Sequence, residues 1–337
     1  MDNWKVAGKW FFSMRTVAIL AMVAVLALSA CGDSDDADAT PTEEPVVEKM
    51  TVGLIQGNWS SQMTMTEIAN QVIHDQLGYE THKLVADVTP GWAAICNEEA
   101  HLAVEAWLPS RLAEIQPFID KGCFEMGGSN FDGGIGWYVP RYLVEGDGAL
   151  APGLKSVDQL NDYWELFENP EHPGMGELIG GEVGWIDQPQ DISRIKGYDL
   201  NYYRSNQGEV VILSLVKSKT LRKEPFLTYL WTPHSIFAQV DLVKLEEPNP
   251  YVEGECFVEE EPGYMCAHPP FDVHTAVSPV LKTGAPDVYN FINNMSIGAE
   301  GVSAIMYQTD VLERDFVEVA SEWIVEHQAE IDEWIKG

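Results

Sequence analysis

Four tryptophans stand in positions from which side chains can recognise a ligand. They lie at the ends of strand-like runs or in loops rich in Gly, Pro and Asn: Trp59, Trp107, Trp185 and Trp231. Indole faces are the strongest cation–π partners among side chains, and recognition of quaternary ammonium groups is their main use. One such ring is more often a packing residue than a ligand contact. Four at comparable positions predict a cage for a methylated ammonium group, which cannot donate a hydrogen bond.

Sequence signals for catalysis are weak. The chain has no Gly-x-Ser-x-Gly, no phosphate-binding loop, no His-Glu-x-x-His and no dinucleotide fingerprint. His101 and Glu105 are four residues apart, but on a strand that spacing does not form a ligand pair. We therefore expect a protein that is not an enzyme and that has no catalytic residue, metal or cofactor.

The elements that would position the four rings alternate between strand and helix. Strands are predicted at residues 50–56, 80–85 and 101–107, and helices at residues 64–77 and 91–97. This order is typical of a parallel sheet covered by helices, which binds ligands at the carboxyl ends of its strands. Trp107 would lie at such an end, and Trp59 in the loop after the first strand.

The rest of the chain continues the alternation. Strands are predicted at residues 135–144, 182–186, 225–231 and 274–280, and helices at residues 109–121, 156–166, 207–218, 287–295, 297–306 and 315–336. The glycines between residues 127 and 136 predict an interruption of regular structure. Trp185 and Trp231 would each end a strand, and Pro233 would bar the second strand from continuing before a helix near Ser235.

The first 30 residues have the layout of an export signal. Lys5, Lys9 and Arg15 precede an uninterrupted apolar run at residues 17–28. A run of that length is too short for a comfortable membrane span and suits the core of a signal peptide. We therefore predict that residues 1–30 are a signal peptide and that the mature protein is exported.

Cys31 follows this segment directly after Leu-Ser-Ala, a pattern that resembles the lipobox of bacterial lipoproteins. In a lipobox the cysteine is lipidated and becomes the mature N-terminus; the alternative is an ordinary signal peptide with an incidental cysteine. Residues 31–48 are rich in Asp, Glu, Thr and Pro and predict a flexible acidic tether. The expected location is a membrane-anchored lipoprotein, in the periplasm or on the outer face of the cytoplasmic membrane.

The charge of the chain excludes two classes of partner. Its 20 Lys and Arg stand against 53 Asp and Glu, a net charge of −33. Nucleic acids and anionic lipid headgroups need a basic face, so we expect no nucleic acid and no membrane contact except through the lipid anchor. With 337 residues, 45% of them hydrophobic, the chain is long enough for a large core or for two lobes.

Four cysteines follow the tether: Cys96, Cys123, Cys256 and Cys266. An even number in an exported chain permits two disulfides, with three connectivities. Cys96–Cys123 and Cys256–Cys266 are favoured because these pairs are closest in sequence. The alternative is that some of the four are buried free thiols.

Several motifs resemble those of one family. They are Glu-Ala-Trp-Leu-Pro-Ser at residues 105–110, Gly-Trp-Tyr-Val-Pro-Arg at 136–141, Ser-Val-Asp-Gln-Leu at 156–160, Gly-Trp at 184–185, Leu-Trp-Thr-Pro-His at 230–234 and Phe-Ala-x-x-Asp-Leu at 237–242. With these motifs, the chain resembles the substrate-binding proteins of bacterial ABC importers for glycine betaine and related quaternary ammonium solutes. The resemblance covers about residues 50–335.

The resemblance implies an α/β fold of the two-lobed periplasmic-binding-protein (type II) kind. Each lobe would be a mostly parallel sheet flanked by helices, with a hinge between the lobes. Lobe I would comprise residues 49–140 and 265–337, and lobe II residues 141–264. Members of this family close on a small ligand and deliver it to the transmembrane permease of an ABC transporter, so these are the expected partners of a monomeric protein.

The resemblance also assigns residues to the ligand. Trp107, Trp185 and Trp231 match cage members, and Trp59 matches an aromatic that only some subfamilies use. The ligand's carboxylate would be bound by backbone N–H groups and by one basic side chain. Ile186 and Asp187, directly after Trp185, could offer the backbone groups.

Three further side chains are candidates for the site. Arg111 could bind a carboxylate through two parallel hydrogen bonds; the alternative is a solvated surface residue. His234 follows Trp231, and its alternative role is to cap a helix. Tyr138 and Trp137 alternate on one strand, so only one of them can face the cleft, and Tyr138 is the candidate.

The expected ligand is glycine betaine or a related quaternary ammonium or sulfonium osmolyte. Choline, which lacks a carboxylate, is the alternative within the same family, and dimethylsulfoniopropionate would fit the same cage. Sugars also stack on tryptophan, but beyond Asn58, Asp187 and Gln188 few polar side chains lie near the cage positions. An exported hydrolase is disfavoured because no nucleophile motif is present.

Overall fold

The protein is represented by a computed structural model that describes residues 49–109, 111–185, 187–252, 256 and 265–336. The predictions for the signal peptide, for Cys31 and for the tether lie outside the described residues, and so does Ile186. Within these ranges, no helix is both long and apolar enough to cross a membrane.

One mixed sheet organises the described residues. Its strands are β1 (Val52–Gln56), β2 (Thr81–Val85), β3 (Leu102–Leu108), β4 (Glu125–Pro140), β5 (Gly176–Gly180), β6 (Tyr202–Asn206), β7 (Leu227–Thr232), β8 (Leu242–Lys244) and β9 (Phe271–Val277). They follow the order β2-β1-β3-β9-β4-β7-β5-β6, and β8 also pairs with β4. The pairs at the two ends of this order are parallel, whereas every pair that involves β4 or β9 is antiparallel.

The long strand β4 joins two halves of the molecule. Its residues 125–133 pair with β9, and its residues 134–140 pair with β7 and β8. We call the half with β1, β2, β3 and β9 lobe I, and the half with β5 to β8 lobe II. The two-lobed α/β architecture agrees with the sequence prediction, and β4 contributes to both lobes. The lobe limits at residues 140/141 and 264/265 remain a proposal.

Helices cover the faces of both lobes. They are α1 (Ser60–Gln71), α2 (Val88–Cys96), α3 (Leu112–Asp120), α4 (Arg141–Val144), α5 (Asp187–Gly197), α6 (Glu209–Arg222), α7 (Leu281–Gly284), α8 (Pro286–Asn294), α9 (Gly298–Met306), α10 (Phe316–Glu326) and α11 (Gln328–Lys336). A π-helical turn, Val72–Gln76, follows α1, another, Tyr307–Val311, follows α9, and the short 3-10 helix Ser235–Ala238 follows β7. Short 3-10 helices also occur at Val157–Asp162 and Trp164–Phe167.

Each lobe has its own apolar core because successive strand residues point to opposite faces of the sheet. In β3, Leu102 and Val104 pack into a core with α1, whereas Ala103 packs into a second core that contains Trp92 of α2. A third core fills lobe II around β5 and β7 and contains Ile179. This packing holds in place the strands whose ends carry residues of the site.

Several predictions of local structure are wrong. A strand was predicted at residues 182–186, but residues 182–185 form a loop, and β5 lies before them at Gly176–Gly180. The strand predicted at residues 135–144 ends at Pro140 and continues as α4. The helix predicted at residues 156–166 consists of two 3-10 segments, and the helix predicted at 315–336 divides at His327 into α10 and α11.

The glycine-rich stretch before Gly136 is not an interruption but part of β4. Its glycines are required by close neighbours rather than by a turn. A Cβ atom on Gly133 would lie 2.8 Å from the ring of Trp107 and 2.9 Å from the carbonyl oxygen of Thr232. Glycine at this position lets β4 run between two segments that carry predicted cage residues.

Candidate functional site

A cavity lies between the two lobes. Its lining residues are Trp59, Val88, Glu105, Trp107, Arg111, Trp185, Tyr229 and Trp231. It holds about 480 Å³ of empty space, counting the part that is open to solvent. The four tryptophans singled out in the sequence therefore line one cavity, although they come from four separate segments.

Lobe I contributes Trp59 and Trp107. Trp59 is the residue that precedes α1, in the loop after β1. Trp107 is the penultimate residue of β3, and its ring packs against Phe131 and Phe271 with centroid distances of 5.7 and 5.8 Å. The edge-to-face contacts with these two rings fix the orientation of Trp107.

Lobe II contributes Trp185 and Trp231. Trp231 is the penultimate residue of β7, as predicted. Trp185 does not end a strand, which corrects the prediction; it lies in the loop between β5 and α5. Gly181 at the end of β5 makes room for it, since a Cβ atom there would collide with the Trp185 ring. Trp185 Nε1 donates to Asn58 Oδ1 of lobe I at 3.2 Å, so this ring also joins the lobes.

Three of the rings meet nearly at right angles. Trp185 lies 6.1 Å from Trp59 with an interplanar angle of 75°, and 5.4 Å from Trp231 with an angle of 87°. Rings in this arrangement form the corner of a box, and all three residues line the same cavity. Indole rings around one cavity can attract a cation through their negative π faces.

Glu105 is a buried carboxylate in the wall of this box. Its Oε2 accepts hydrogen bonds from Trp59 Nε1 at 2.7 Å and Trp107 Nε1 at 2.9 Å, and its Oε1 accepts one from Ser61 Oγ at 2.8 Å. Burial raises the pKa of Glu105 to about 7, against the effect of these donors. One side chain therefore holds two of the four tryptophans.

Arg111 lines the cavity and is only 6% exposed, so it is not the solvated surface residue considered as the alternative. Its Nη1 donates to Glu114 at 2.6 Å, and its Nη2 donates to the carbonyl oxygen of Gly184 in lobe II at 3.2 Å. The second hydrogen bond holds the guanidinium against the loop that carries Trp185, at the residue before it.

Asp187 and Tyr138, two further residues predicted for the site, are not among the lining residues of the cavity. Asp187 is buried and forms an ion pair with Arg204, and it accepts the backbone N–H of Gly181 at 3.0 Å. Tyr138 packs in the core of lobe II against Phe237, with a centroid distance of 5.1 Å. Both residues shape lobe II behind the cavity wall.

His234 also lies behind the wall, 4.7 Å from the Trp231 ring. Its Nδ1 accepts the backbone N–H of Ile236 at 3.1 Å, so the alternative role, capping the helical segment that follows, is what the structure shows. Its Nε2 lies 3.1 Å from Glu209 Oε1, and Glu209 in turn accepts two hydrogen bonds from Ser60 of lobe I. His234 thus supports Trp231 and the contact between the lobes.

Glu209, His234 and Asp310 bring their potential metal-ligand atoms within 4.8 Å of one another. Both nitrogens of the His234 ring already have hydrogen-bond partners, and Asp310 accepts the hydroxyl of Ser235 at 2.7 Å. The group fits a hydrogen-bonded network between the lobes better than a metal centre.

The cysteines are paired as the sequence distances favoured. Cys96 is bonded to Cys123 with a Cα–Cα distance of 4.6 Å, and Cys256 to Cys266 with a distance of 6.0 Å. The first pair links the end of α2 to the segment before β4. Both bridges lie away from the lining residues of the cavity.

Three lining residues were missed by the sequence analysis: Val88, Glu105 and Tyr229. A signal for two of them was present. Glu105 is two residues before Trp107, and Tyr229 is two residues before Trp231, so each shares a strand face with a tryptophan. Val88 begins α2 and has no comparable signal.

Comparison with known proteins gives a consistent family. The model of the family described as the substrate-binding domain of ABC-type glycine betaine transport systems, OpuAC, matches residues 50–326. The chain is 26% identical over 173 residues to the glycine betaine/carnitine transport binding protein GbuC of Listeria monocytogenes, covering 48% of this chain and 52% of that protein. The chain thus matches about half the length of that relative. It is 22% identical over 308 residues to the glycine betaine/proline betaine-binding periplasmic protein of Salmonella typhimurium, covering 85% of this chain and 89% of that protein.

Solved structures give the same fold. An ABC-transporter choline binding protein in complex with choline superposes with a TM-score of 0.70 at 20% identity, covering 85% of this chain and 92% of that chain. Lactococcal OpuAC, closed and complexed with glycine betaine, gives a TM-score of 0.67 at 20% identity, covering 85% and 99%. The family match spans most of the 337 residues, and the chain belongs to the family of substrate-binding domains of ABC-type glycine betaine transport systems.

Proposed function

We propose that this protein is the extracytoplasmic solute-binding component of an ABC importer and that it binds glycine betaine or a related quaternary ammonium or sulfonium osmolyte. The convergence of Trp59, Trp107, Trp185 and Trp231 on one cavity carries this proposal. An onium group carries its charge on methyl groups that cannot donate hydrogen bonds. Indole faces supply both an apolar surface and a negative potential, which polar side chains do not combine.

Two features favour a ligand that also carries a carboxylate. Arg111 lines the cavity, and a guanidinium has N–H groups in a fork that matches a carboxylate. Trp231 Nε1 is buried and has no hydrogen-bond partner among the described residues. Because buried donors are nearly always paired, a ligand oxygen is a suitable acceptor. Choline has a hydroxyl oxygen that could accept the indole N–H, but it has no carboxylate to place against Arg111, so Arg111 is the feature that favours glycine betaine.

The site supports binding rather than chemistry. A carboxylate that is already bonded to two indoles and a hydroxyl, as Glu105 is, is not placed as a nucleophile or a general base. We therefore propose a receptor that is not an enzyme, and we expect it to act as a monomer. It delivers its ligand to a transmembrane permease.

The N-terminal segment completes the proposal. Residues 1–30 would direct export, Cys31 would carry the lipid, and residues 31–48 would tether the binding domain to the membrane. A tether of this composition lets the domain move near the permease without contacting the acidic membrane surface.

Calorimetric titration of the purified full-length chain in detergent tests the proposed ligand. We expect binding of glycine betaine, weaker binding of choline and no binding of maltose. Trp231→Ala should weaken glycine betaine binding at least tenfold, because a cation–π contact with a buried ring such as Trp231 contributes about 2 kcal/mol or more. Trp164→Ala, which removes a half-buried tryptophan outside the cavity, should leave the affinity unchanged. Heat from maltose alone would overturn the proposal.

A further inference from the structure

Packing against a ligand does not by itself explain why an acidic residue, Glu105, is buried in the wall of the cavity. It lies two residues before Trp107 on β3, is 4% exposed and lines the cavity. Relative to β9, the strand contains an irregularity between Ala103 and Ala106. Glu105 lies within this irregularity, and irregularities of this kind change the direction in which side chains point. A buried carboxylate at such a position is unfavourable for folding unless something in the cavity stabilises its charge.

The hydrogen bonds of Glu105 connect it to the cage. Its three donors come from two tryptophans of the cavity wall and from Ser61 at the start of α1. Both indoles donate to the same oxygen, Oε2, so the carboxyl group lies at the N–H edge of two rings that line the cavity. A negative charge there adds to the attraction that the ring faces exert on a cation.

We propose that Glu105 is a positioning and specificity-determining residue of the cage, which holds Trp59 and Trp107 in place and ionises when a cationic headgroup binds. This proposal rests on the proposed function and adds that ligand binding is coupled to the release of one proton. The carboxyl group releases its proton to solvent as the onium group enters, so binding converts a neutral wall into an anionic one. No covalent bond of the ligand changes.

The surroundings identify Glu105 as the group that titrates. Its pKa is raised to about 7, chiefly by burial and to a smaller extent by the charge of Glu209 on α6, while its three donors act in the opposite direction. From β7, Tyr229 faces the same cavity, and burial raises the pKa of this phenol so far that it stays neutral. Arg111 is the basic side chain among the described residues that line the cavity.

Charged groups on the other elements that pack against β3 have partners of their own. On α1, Glu67 is ion-paired with Lys83. On β9, His274 lies 2.9 Å from Asp272 and 3.0 Å from the carbonyl oxygen of Gly127. Glu105 is the only acidic residue among the described residues that line the cavity. A cation in the cage therefore acts most directly on the ionisation of its carboxyl group.

The sign of the effect follows from linkage. A cation in the cage stabilises the ionised form, so the pKa of Glu105 is lower in the complex than in the free protein. Affinity is then constant above about pH 8 and falls as the pH decreases through about 7, because the proton must be released before binding. Between about pH 8 and pH 6 we expect a loss of roughly tenfold. The carboxylate of glycine betaine stays ionised over this range and contributes nothing to the change.

Titration calorimetry of the full-length chain with glycine betaine, at about pH 8 and pH 6 in buffers of different ionisation enthalpy, tests the proposal. The wild-type protein should release about half a proton per ligand at pH 7 and nearly one at pH 6. Glu105→Gln keeps the shape and can still accept both indole N–H groups. It should bind at least tenfold more weakly at pH 8, show no pH dependence over this range and release no proton.

Glu145→Gln is the matched control, since Glu145 is an exposed carboxylate that pairs with Arg141 outside the cavity. It should keep the wild-type pH profile and proton release. Wild-type binding without proton release would overturn the role of Glu105 and leave the proposed ligand standing. If the Glu105→Gln protein kept the wild-type pH profile, another group would cause the pH dependence, and the proposed role of Glu105 would likewise be overturned. No binding of glycine betaine by the wild-type protein would instead refute the proposed function.

Discussion

Replacing Glu105 with glutamine should stabilise the ligand-free protein at alkaline pH, although it weakens binding. Burial raises the pKa of this carboxyl group from 4.5 to about 7 in the folded state. The folded protein therefore holds the proton more tightly than the unfolded chain does. The contribution of Glu105 to stability is most favourable below about pH 4.5, is lost as the pH rises through 4.5 to 7, and does not change above that range.

The magnitude follows from the size of the shift. A change from 4.5 to about 7 corresponds to about 3 kcal/mol of lost stability above pH 7. Glutamine does not titrate and has the shape of the protonated acid. The variant should therefore be more stable than the wild-type protein by about 3 kcal/mol at pH 8, and by less than about 1 kcal/mol at pH 5.

Urea unfolding of the ligand-free protein, followed by circular dichroism at both pH values and constant salt, measures this difference. Glu145→Gln, at an exposed position, should show no comparable gain between pH 5 and pH 8. A Glu105→Gln protein that is clearly less stable than the wild type at pH 8 would refute the reasoning. That result would mean that the two indoles and Ser61 more than compensate for burying the charge.

Two further substitutions test how the fold supports the cavity. Arg204→Met should destabilise the protein by roughly 3–5 kcal/mol, because it leaves the buried carboxylates of Asp187 and Asp191 without the cation that pairs with both; a loss below about 1 kcal/mol in urea unfolding would contradict this. Gly133→Ala should destabilise by about 1–3 kcal/mol and weaken glycine betaine binding, since its new methyl group would press on the Trp107 ring. Its neighbour Gly134, where a Cβ atom would lie 3.3 Å from the nearest side-chain atom, is the control for alanine substitution, and equal effects at the two positions would argue against the close contact.

The sequence was most informative where local pattern and tertiary position coincide. Trp107 and Trp231 were predicted at strand ends because each follows an apolar run and precedes a proline, and both lie one residue before their strand ends. Trp59 was predicted in the loop after the first strand and precedes α1. A parallel-strand pattern brings such positions to one edge of a sheet, so their convergence was predictable.

Features that depend on contacts between the lobes were not predictable from local patterns. Trp185 was assigned to a strand end, whereas its position depends on the space left by Gly181 and on a hydrogen bond from its indole to Asn58 of the other lobe. The glycines of β4 were interpreted as an interruption because glycine weakens an isolated strand. The close approach of Gly133 to Trp107 and Thr232 is visible only when the neighbouring segments are in place.

Polar side chains were the least predictable part of the site. His234 was expected to face the ligand, yet its ring caps a helical segment and contacts Glu209. Glu105 was considered only as a metal ligand together with His101, and that pairing does not suit a strand. It lies two residues before Trp107, however, which places both side chains on one face of the strand. Which partner a buried polar group finds depends on the packing of distant segments, as the bond from Trp59 to Glu105 illustrates.

The most direct test of a cation-binding cage is to remove the charge from the ligand headgroup. Glycine betaine and 3,3-dimethylbutanoate have the same shape and the same carboxylate, but the second has a neutral carbon in place of the quaternary nitrogen. If the indoles of Trp59, Trp107, Trp185 and Trp231 recognise a cation, calorimetry should show at least about a hundredfold tighter binding of glycine betaine. Equal affinities for the two compounds would show that the cavity selects shape rather than charge and would contradict the account.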